Sequence, residues 1–87
     1  MKIDSETMTS AIRRLKRAQG QIGGVIKMVE EGRDCTDVVT QLAAASRAIH
    51  QAGYKIIAAG LQQCALDGED TADADRAQLE RLFLSLA

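Results

Sequence analysis

The sequence predicts an all-α protein, and three observations carry that prediction. The chain of 87 residues has no proline and no tryptophan, with one phenylalanine and one tyrosine. Its apolar share comes mostly from alanine, leucine, isoleucine and valine, a mixture that favours helices. Apolar residues also recur three and four positions apart over three stretches, the period of a half-buried helix face. The length fits one domain, 1–87, near the lower limit at which a core supports itself. No internal repeat, low-complexity segment or interdomain linker is evident.

The first helix is expected to start with Asp4 or Ser5 as N-cap and to run to Glu31, with Gly32 as the C′ residue. Its apolar stripe is Met8, Ile12, Leu15, Ile22, Ile26 and Val29, interrupted only by Gln19. The stretch GRDCTDVV then reads as a turn and a helix start, with Asp34 as N-cap and Cys35 in the first turn. From there Val38, Leu42, Ala45, Ile49, Ala52, Ile56 and Ala59 hold the same spacing, and the pattern ends by Gly68. Gly53 and Gly60 lie inside it, each costing roughly 1 kcal/mol relative to alanine, which implies close helix approach. A shorter third helix is expected from Thr71 or Ala72 to Leu86, with Leu79, Leu82, Phe83 and Leu86 on its apolar face.

A second helix of about 30 residues is roughly 45 Å long, more than the other two can cover. Burying its stripe calls for a second copy of the chain, so a homo-oligomer with helices packed side by side is expected.

The net charge of −1 conceals an asymmetry. Residues 7–29 carry Arg13, Arg14, Lys16, Arg17 and Lys27 and no acid, and residues 38–66 add Arg47 and Lys55, again with no acid. Residues 67–87 carry six acids against Arg76 and Arg81. A solvated helix face normally mixes both signs in i,i+4 pairs; the missing acids mark an anion-binding face. The N-terminus lacks an apolar leader and no apolar run approaches the ~18 residues of a membrane span, so a soluble cytosolic chain without a membrane partner is expected.

Two cysteines without a signal peptide argue for thiol or metal chemistry rather than a structural disulfide. Cys35 and Cys64 are 29 positions apart, close to eight helical turns. They share a face of one helix at a separation of roughly 43 Å, far beyond disulfide reach. If two copies pack antiparallel about an axis between residues 49 and 50, Cys35 of one lies beside Cys64 of the other, giving two sites per dimer. Cys35, in a first helical turn, sits where the helix dipole favours thiolate chemistry. His50 falls about 21 Å from Cys64 along the helix and reads as a core or interface residue, not a ligand. Tyr54 and Met28 read as packing residues. Nothing assembles a nucleophile, a base and an oxyanion site, so no catalytic residue and no enzyme are expected.

The stretch RRLKRAQGQIGGVIKMVEEGRDCTDVVTQLAAASRAI, followed by Cys64, resembles the copper-sensing repressor (CsoR) family of small helical bacterial regulators. The resemblance runs from about Ser10 to Leu84 and rests jointly on the RLKRxxGQ segment, the acidic-Gly-x-x-Cys turn and the cysteine spacing. It implies a three-helix protomer with long first and second helices, an antiparallel dimer assembling into a dimer of dimers, and operator DNA bound without a helix-turn-helix. Copper-sensing members use a Cys–His–Cys site across the dimer interface, with the His four residues before the second Cys; here that position is Gly60. The Tyr preceding the first Cys in some of them is Asp34 here, and Glu80 matches an acidic position of theirs. Nickel-, cobalt- and formaldehyde-sensing relatives need histidines this chain lacks. The pattern looks like the persulfide-sensing, CstR-like branch, which keeps both cysteines without the His.

The resemblance and the spacing together lead to an expected repressor that senses reactive sulfur species through Cys35 and the neighbour's Cys64, without cofactor or metal. Arg13, Arg14, Lys16, Arg17 and Arg47 are the candidate DNA contacts, with Gln19 and Gln21 as polar helpers. Two alternatives stand beside this: a Cu(I)-responsive repressor whose metal ligands are Cys35 and Cys64, since soft Cu(I) suits thiolates, and a helical interaction module without DNA binding.

Overall fold

The computed structural model describes residues 2–67 and 72–86, and among these every regular element is helical. A 3-10 turn over Ser5–Met8 leads into α1 (Thr9–Glu30), then α2 (Cys35–Asp67) and α3 (Ala72–Leu86). The ends expected at Gly68 and Thr71 lie outside the described residues.

The first helix is therefore shorter than its sequence pattern, because its opening turn is tighter. Asp4 does cap a helical start, its carboxylate accepting the Glu6 N–H at 3.0 Å, but the turn it caps is 3-10. The hydroxyls of Thr7 and Thr9 donate to carbonyls three residues back, of Asp4 and Glu6, at 2.8 and 3.0 Å. Such local side-chain bonds compete with regular α-helix formation and tighten the turn here. At the other end Gly32 has φ +68°, a left-handed conformation that suits glycine. The Arg33 N–H donates to the Met28 carbonyl at 2.9 Å and the Gly32 N–H to that of Val29 at 3.1 Å, a Schellman cap.

The same substitution at two glycines should therefore have opposite signs. Gly32→Ala is expected to lower stability by about 1–2 kcal/mol through left-handed strain. Gly20→Ala, in mid-helix where an added Cβ meets nothing within 4 Å, should raise it by about 1 kcal/mol. Thermal melts of the two variants check both.

The turn after Gly32 sends α2 back antiparallel to α1, and the two pack along a seam whose buried side chains are alanines: Ala11 and Ala18 facing Ala45, Ala48 and Ala52. Ala45 and Ala52 belong to the stripe expected on α2 and lie in this seam, but the large apolar side chains of the expected stripes do not. Ile12, Leu15, Ile22, Ile26 and Val29 on α1, with Val39, Leu42 and Ile49 on α2, are all exposed, Val29 at 61%. Alanine wins the seam because its small side chain lets two helix backbones approach closely. At about 100° per residue, the exposed stripes are centred about 50° from the seam alanines on α1 and about 100° from them on α2, and in an antiparallel pair they share one side of the hairpin.

α3 covers only the C-terminal half of that side of α2. Leu79 packs with Ile57 and Cys64, flanked by Leu61 and Leu86, and the rings of Tyr54 and Phe83 meet at 5.3 Å. Leu86 fills the space at Gly53, where a Cβ would come within 2.7 Å of its Cδ1, so the close approach expected at that glycine is present. Leu82 and Phe83, expected on the covered face, remain 51% and 43% exposed. The molecule is thin, 54 × 25 × 14 Å, with a radius of gyration of 16.5 Å. A compact chain of this length would have about 12 Å.

Candidate sensor thiols and basic face

Cys35 is the first residue of α2 and is exposed. Asp34 sets the start of the helix. Its carboxylate accepts the Thr36 N–H at 3.1 Å, and its carbonyl accepts that of Val38 at 3.1 Å. This is the N-cap expected from the sequence, and it fixes the thiol in the first turn. Arg33 and Asp37 form an exposed ion pair across the same turn at 3.8 Å.

Cys64 has the opposite environment. It is 2% exposed, enclosed with Ile57 of α2 and Leu79 of α3. The two cysteines differ by about 20° around α2, whose 33 residues run without interruption, so they are roughly 43 Å apart on one face of a single rod. Between them that face carries Val39, Leu42 and Ile49 uncovered, then Gly53, Ile57 and Gly60 toward α3. His50 is not a core residue of the protomer. It is exposed, and its ring stands 6.4 Å from that of Tyr54.

The other side of the hairpin is basic. Arg13, Lys16 and Arg17 on α1 and Arg47 on α2 are exposed; Gln19 is exposed too, but on the apolar stripe. On the helical wheel the three α1 cations and Arg47 turn away from the seam, Arg13, Arg17 and Arg47 on the side opposite the apolar stripe and Lys16 at the back of α1. None of these cations has a carboxylate partner within 4.0 Å among the described residues. Arg14 is half-buried at the seam, where its Nη1 donates to Oε1 of Gln51 at 2.6 Å. Gln21 also turns inward: its Oε1 is buried without a partner, and its backbone carbonyl receives the Gln41 amide at 3.5 Å. Gln51, Gln41 and Leu79 went unnoticed in the sequence as parts of a site. The signal for Gln51 and Gln41 is adjacency in helical phase to Ala48 and Ala45 on α2, and for Leu79 its place on the apolar face of α3.

A strand-free hairpin of two long helices, with a thiol opening the second and an acid-free basic face, has the features of a small helical regulator. The family described as metal-sensitive transcriptional repressor matches residues 7–85, and the chain belongs to that family of regulators rather than enzymes. It is 35% identical over 52 residues to the copper-sensing transcriptional repressor RicR of Mycobacterium tuberculosis, covering 60% of this chain and 54% of that protein. Identity to the copper-sensing transcriptional repressor CsoR of Bacillus subtilis is 32% over 69 residues, 79% of this chain and 68% of that protein. The uncharacterized protein YrkD of Bacillus subtilis is 39% identical over 62 residues, 67% of this chain and 98% of that protein. The chain thus spans about half the length of the first relative and two thirds of the second.

The residues present do not supply a three-ligand copper site of Cys–His–Cys type. One protomer places its two thiols at opposite ends of α2, and Gly60 offers no donor atom. Among the described residues no three His, Cys, Asp or Glu side chains converge on a position that could hold a metal. No helix among them is long and apolar enough to cross a membrane.

Proposed function

We propose that this chain is a DNA-binding repressor that leaves its operator when reactive sulfur species link Cys35 of one protomer to Cys64 of another. The observation that carries the proposal is the placement of both thiols on one face of one continuous helix, about 43 Å apart, with no donor at position 60. Two such rods lying antiparallel bring each Cys35 to the other's Cys64. The uncovered Ile, Leu and Val side chains on the same side of the hairpin supply the apolar surface for that pairing. The basic side of α1, with Arg47, faces away from it and is left for the phosphates, and two such pairs form the dimer of dimers.

The chemistry needs only a thiolate and a sulfane sulfur donor such as an organic persulfide. The exposed Cys35 thiolate attacks the terminal sulfur of the donor, forming Cys35–S–SH and releasing the donor's thiolate. The partner protomer's Cys64 thiolate then attacks Cys35 Sγ; attack on the outer sulfur instead breaks the Sγ–S bond, passes the sulfane sulfur to Cys64 and frees the Cys35 thiolate without linking the protomers. Attack at Sγ expels hydrosulfide and leaves a disulfide, so the sulfane sulfur is reduced while two thiolates are oxidised. If Cys35 has taken up two sulfane sulfurs, attack on the inner one expels hydrosulfide and leaves a trisulfide.

Intact mass spectrometry of the protein treated with a persulfide donor, reduced and non-reduced, tests this alongside Cys35→Ala and Cys64→Ala. A cross-linked dimer is expected only when both thiols are present, together with loss of DNA binding at least tenfold in the wild type and none in either variant. The copper-sensing relatives favour one second reading, a Cu(I)-responsive repressor with a two-thiolate site. Release of DNA by Cu(I), with the donor leaving the protein unmodified, would replace the sulfur mechanism with that one.

A further inference from the structure

Arg14 is unlike the other cations of the basic side. Its neighbours on the seam face of α1, Ala11 and Ala18, are buried, as are Ala48 and Ala52 across the seam. Arg14 is itself half-buried, and its Nε is buried with no hydrogen-bond partner among the described residues. Among the described residues the guanidinium is anchored at one point, by Nη1 donating to the Gln51 amide oxygen at 2.6 Å. No carboxylate lies within 4.0 Å of it among the described residues. A neutral acceptor thus fixes the group and leaves its full charge uncompensated. A guanidinium retains its proton at any physiological pH, and Nη2 still has two donors to offer.

We infer that Gln51 is a positioning residue for DNA binding, holding Arg14 at the edge of the basic side as a pre-ordered phosphate donor. The assignment rests on the DNA-binding function proposed above. An exposed arginine must be immobilised when it meets a phosphate; one already seated between two helices is spared most of that cost. The amide is the suitable partner because a carboxylate at the same place would hold the guanidinium as firmly and cancel the charge that the phosphate needs. The arrangement also ties the contact to the α1–α2 seam: a shift of one helix along the other separates Gln51 from Arg14 and releases the arginine.

The test compares wild type, Gln51→Glu, Gln51→Ala and Arg14→Ala for binding to a fluorescent duplex of the chain's own promoter region over a range of salt concentrations. Thermal melts are run in parallel. Gln51→Glu is expected to melt no lower than wild type, to bind about fivefold more weakly at physiological salt, and to show a salt slope smaller by about one. Gln51→Ala should weaken binding about two- to tenfold while keeping the slope. A purely structural Gln51 would leave the affinity and slope of Gln51→Glu at wild-type values, and that result overturns the inference. If Arg14→Ala loses binding while Gln51→Glu does not, DNA binding stands and the positioning role fails. If wild type itself does not bind the duplex at low salt, the proposed function fails and the inference falls with it.

Discussion

Ile22→Asp combined with Leu42→Asp is expected to yield a monomer that melts far below the wild type, at a temperature independent of protein concentration. The two positions lie level with each other on the uncovered side of the hairpin, where Ile22 is 41% and Leu42 51% exposed in the single chain. Fully burying a side chain of this size contributes about 1.5–3 kcal/mol, and about half of each remains to be covered. Losing the pairing at both therefore costs on the order of 1.5–3 kcal/mol per protomer before the penalty for burying two carboxylates is added. That is a large fraction of the stability of any small domain. The seam inside one chain has little with which to compensate, since its buried side chains are alanines. Sedimentation velocity and melts at two concentrations are the measurements. Wild type and variant that sediment alike as monomers and melt alike would remove the basis for a paired assembly.

Leu79→Ala is expected to expose Cys64 to thiol reagents while leaving Cys35 unaffected. In the native chain Cys35 is open to solvent and Cys64 is enclosed by Leu79 of α3. Truncating a packed leucine costs about 2–5 kcal/mol. If that loss falls on the docking of α3, the population in which Cys64 is accessible rises about 30-fold or more, since each 1.4 kcal/mol is a factor of ten in an equilibrium constant. The labelling rate of Cys64 in a Cys35→Ala background should rise by that factor. Equal rates with and without Leu79 would mean that α3 does not control access to the second thiol.

What the sequence made legible is what local chemistry determines. Asp34 caps α2, Gly32 takes the left-handed conformation and Cys35 opens the helix because each depends on residues within one turn of itself. The phase and distance between the cysteines follow from a helix that does not break at Gly53 or Gly60. The choice of seam was not legible. Hydropathy patterning weights large side chains, so it selects Ile12, Leu15, Ile22 and Leu42; of the alanines on which the chain packs, it includes Ala45 and Ala52 but misses Ala11, Ala18 and Ala48. Two apolar faces on one helix pair need two partners, and a periodicity says nothing about which is met within the chain. The cover over Cys64 and the Arg14–Gln51 bond were hidden for the same reason, since both cross between helices. The 3-10 opening turn escaped because Thr7 and Thr9 bond backward to carbonyls that a helical pattern treats as interchangeable.

The glycine at position 60 bears on which inputs the helix can accept. Gly60 is buried on α2, between Ile57 and Cys64 in the sequence. A histidine there would have to fit a five-membered ring at a position that is already buried, and overpacking of this kind costs about 1–3 kcal/mol. A third side-chain ligand is therefore not gained by that single exchange without disturbing the helix around it.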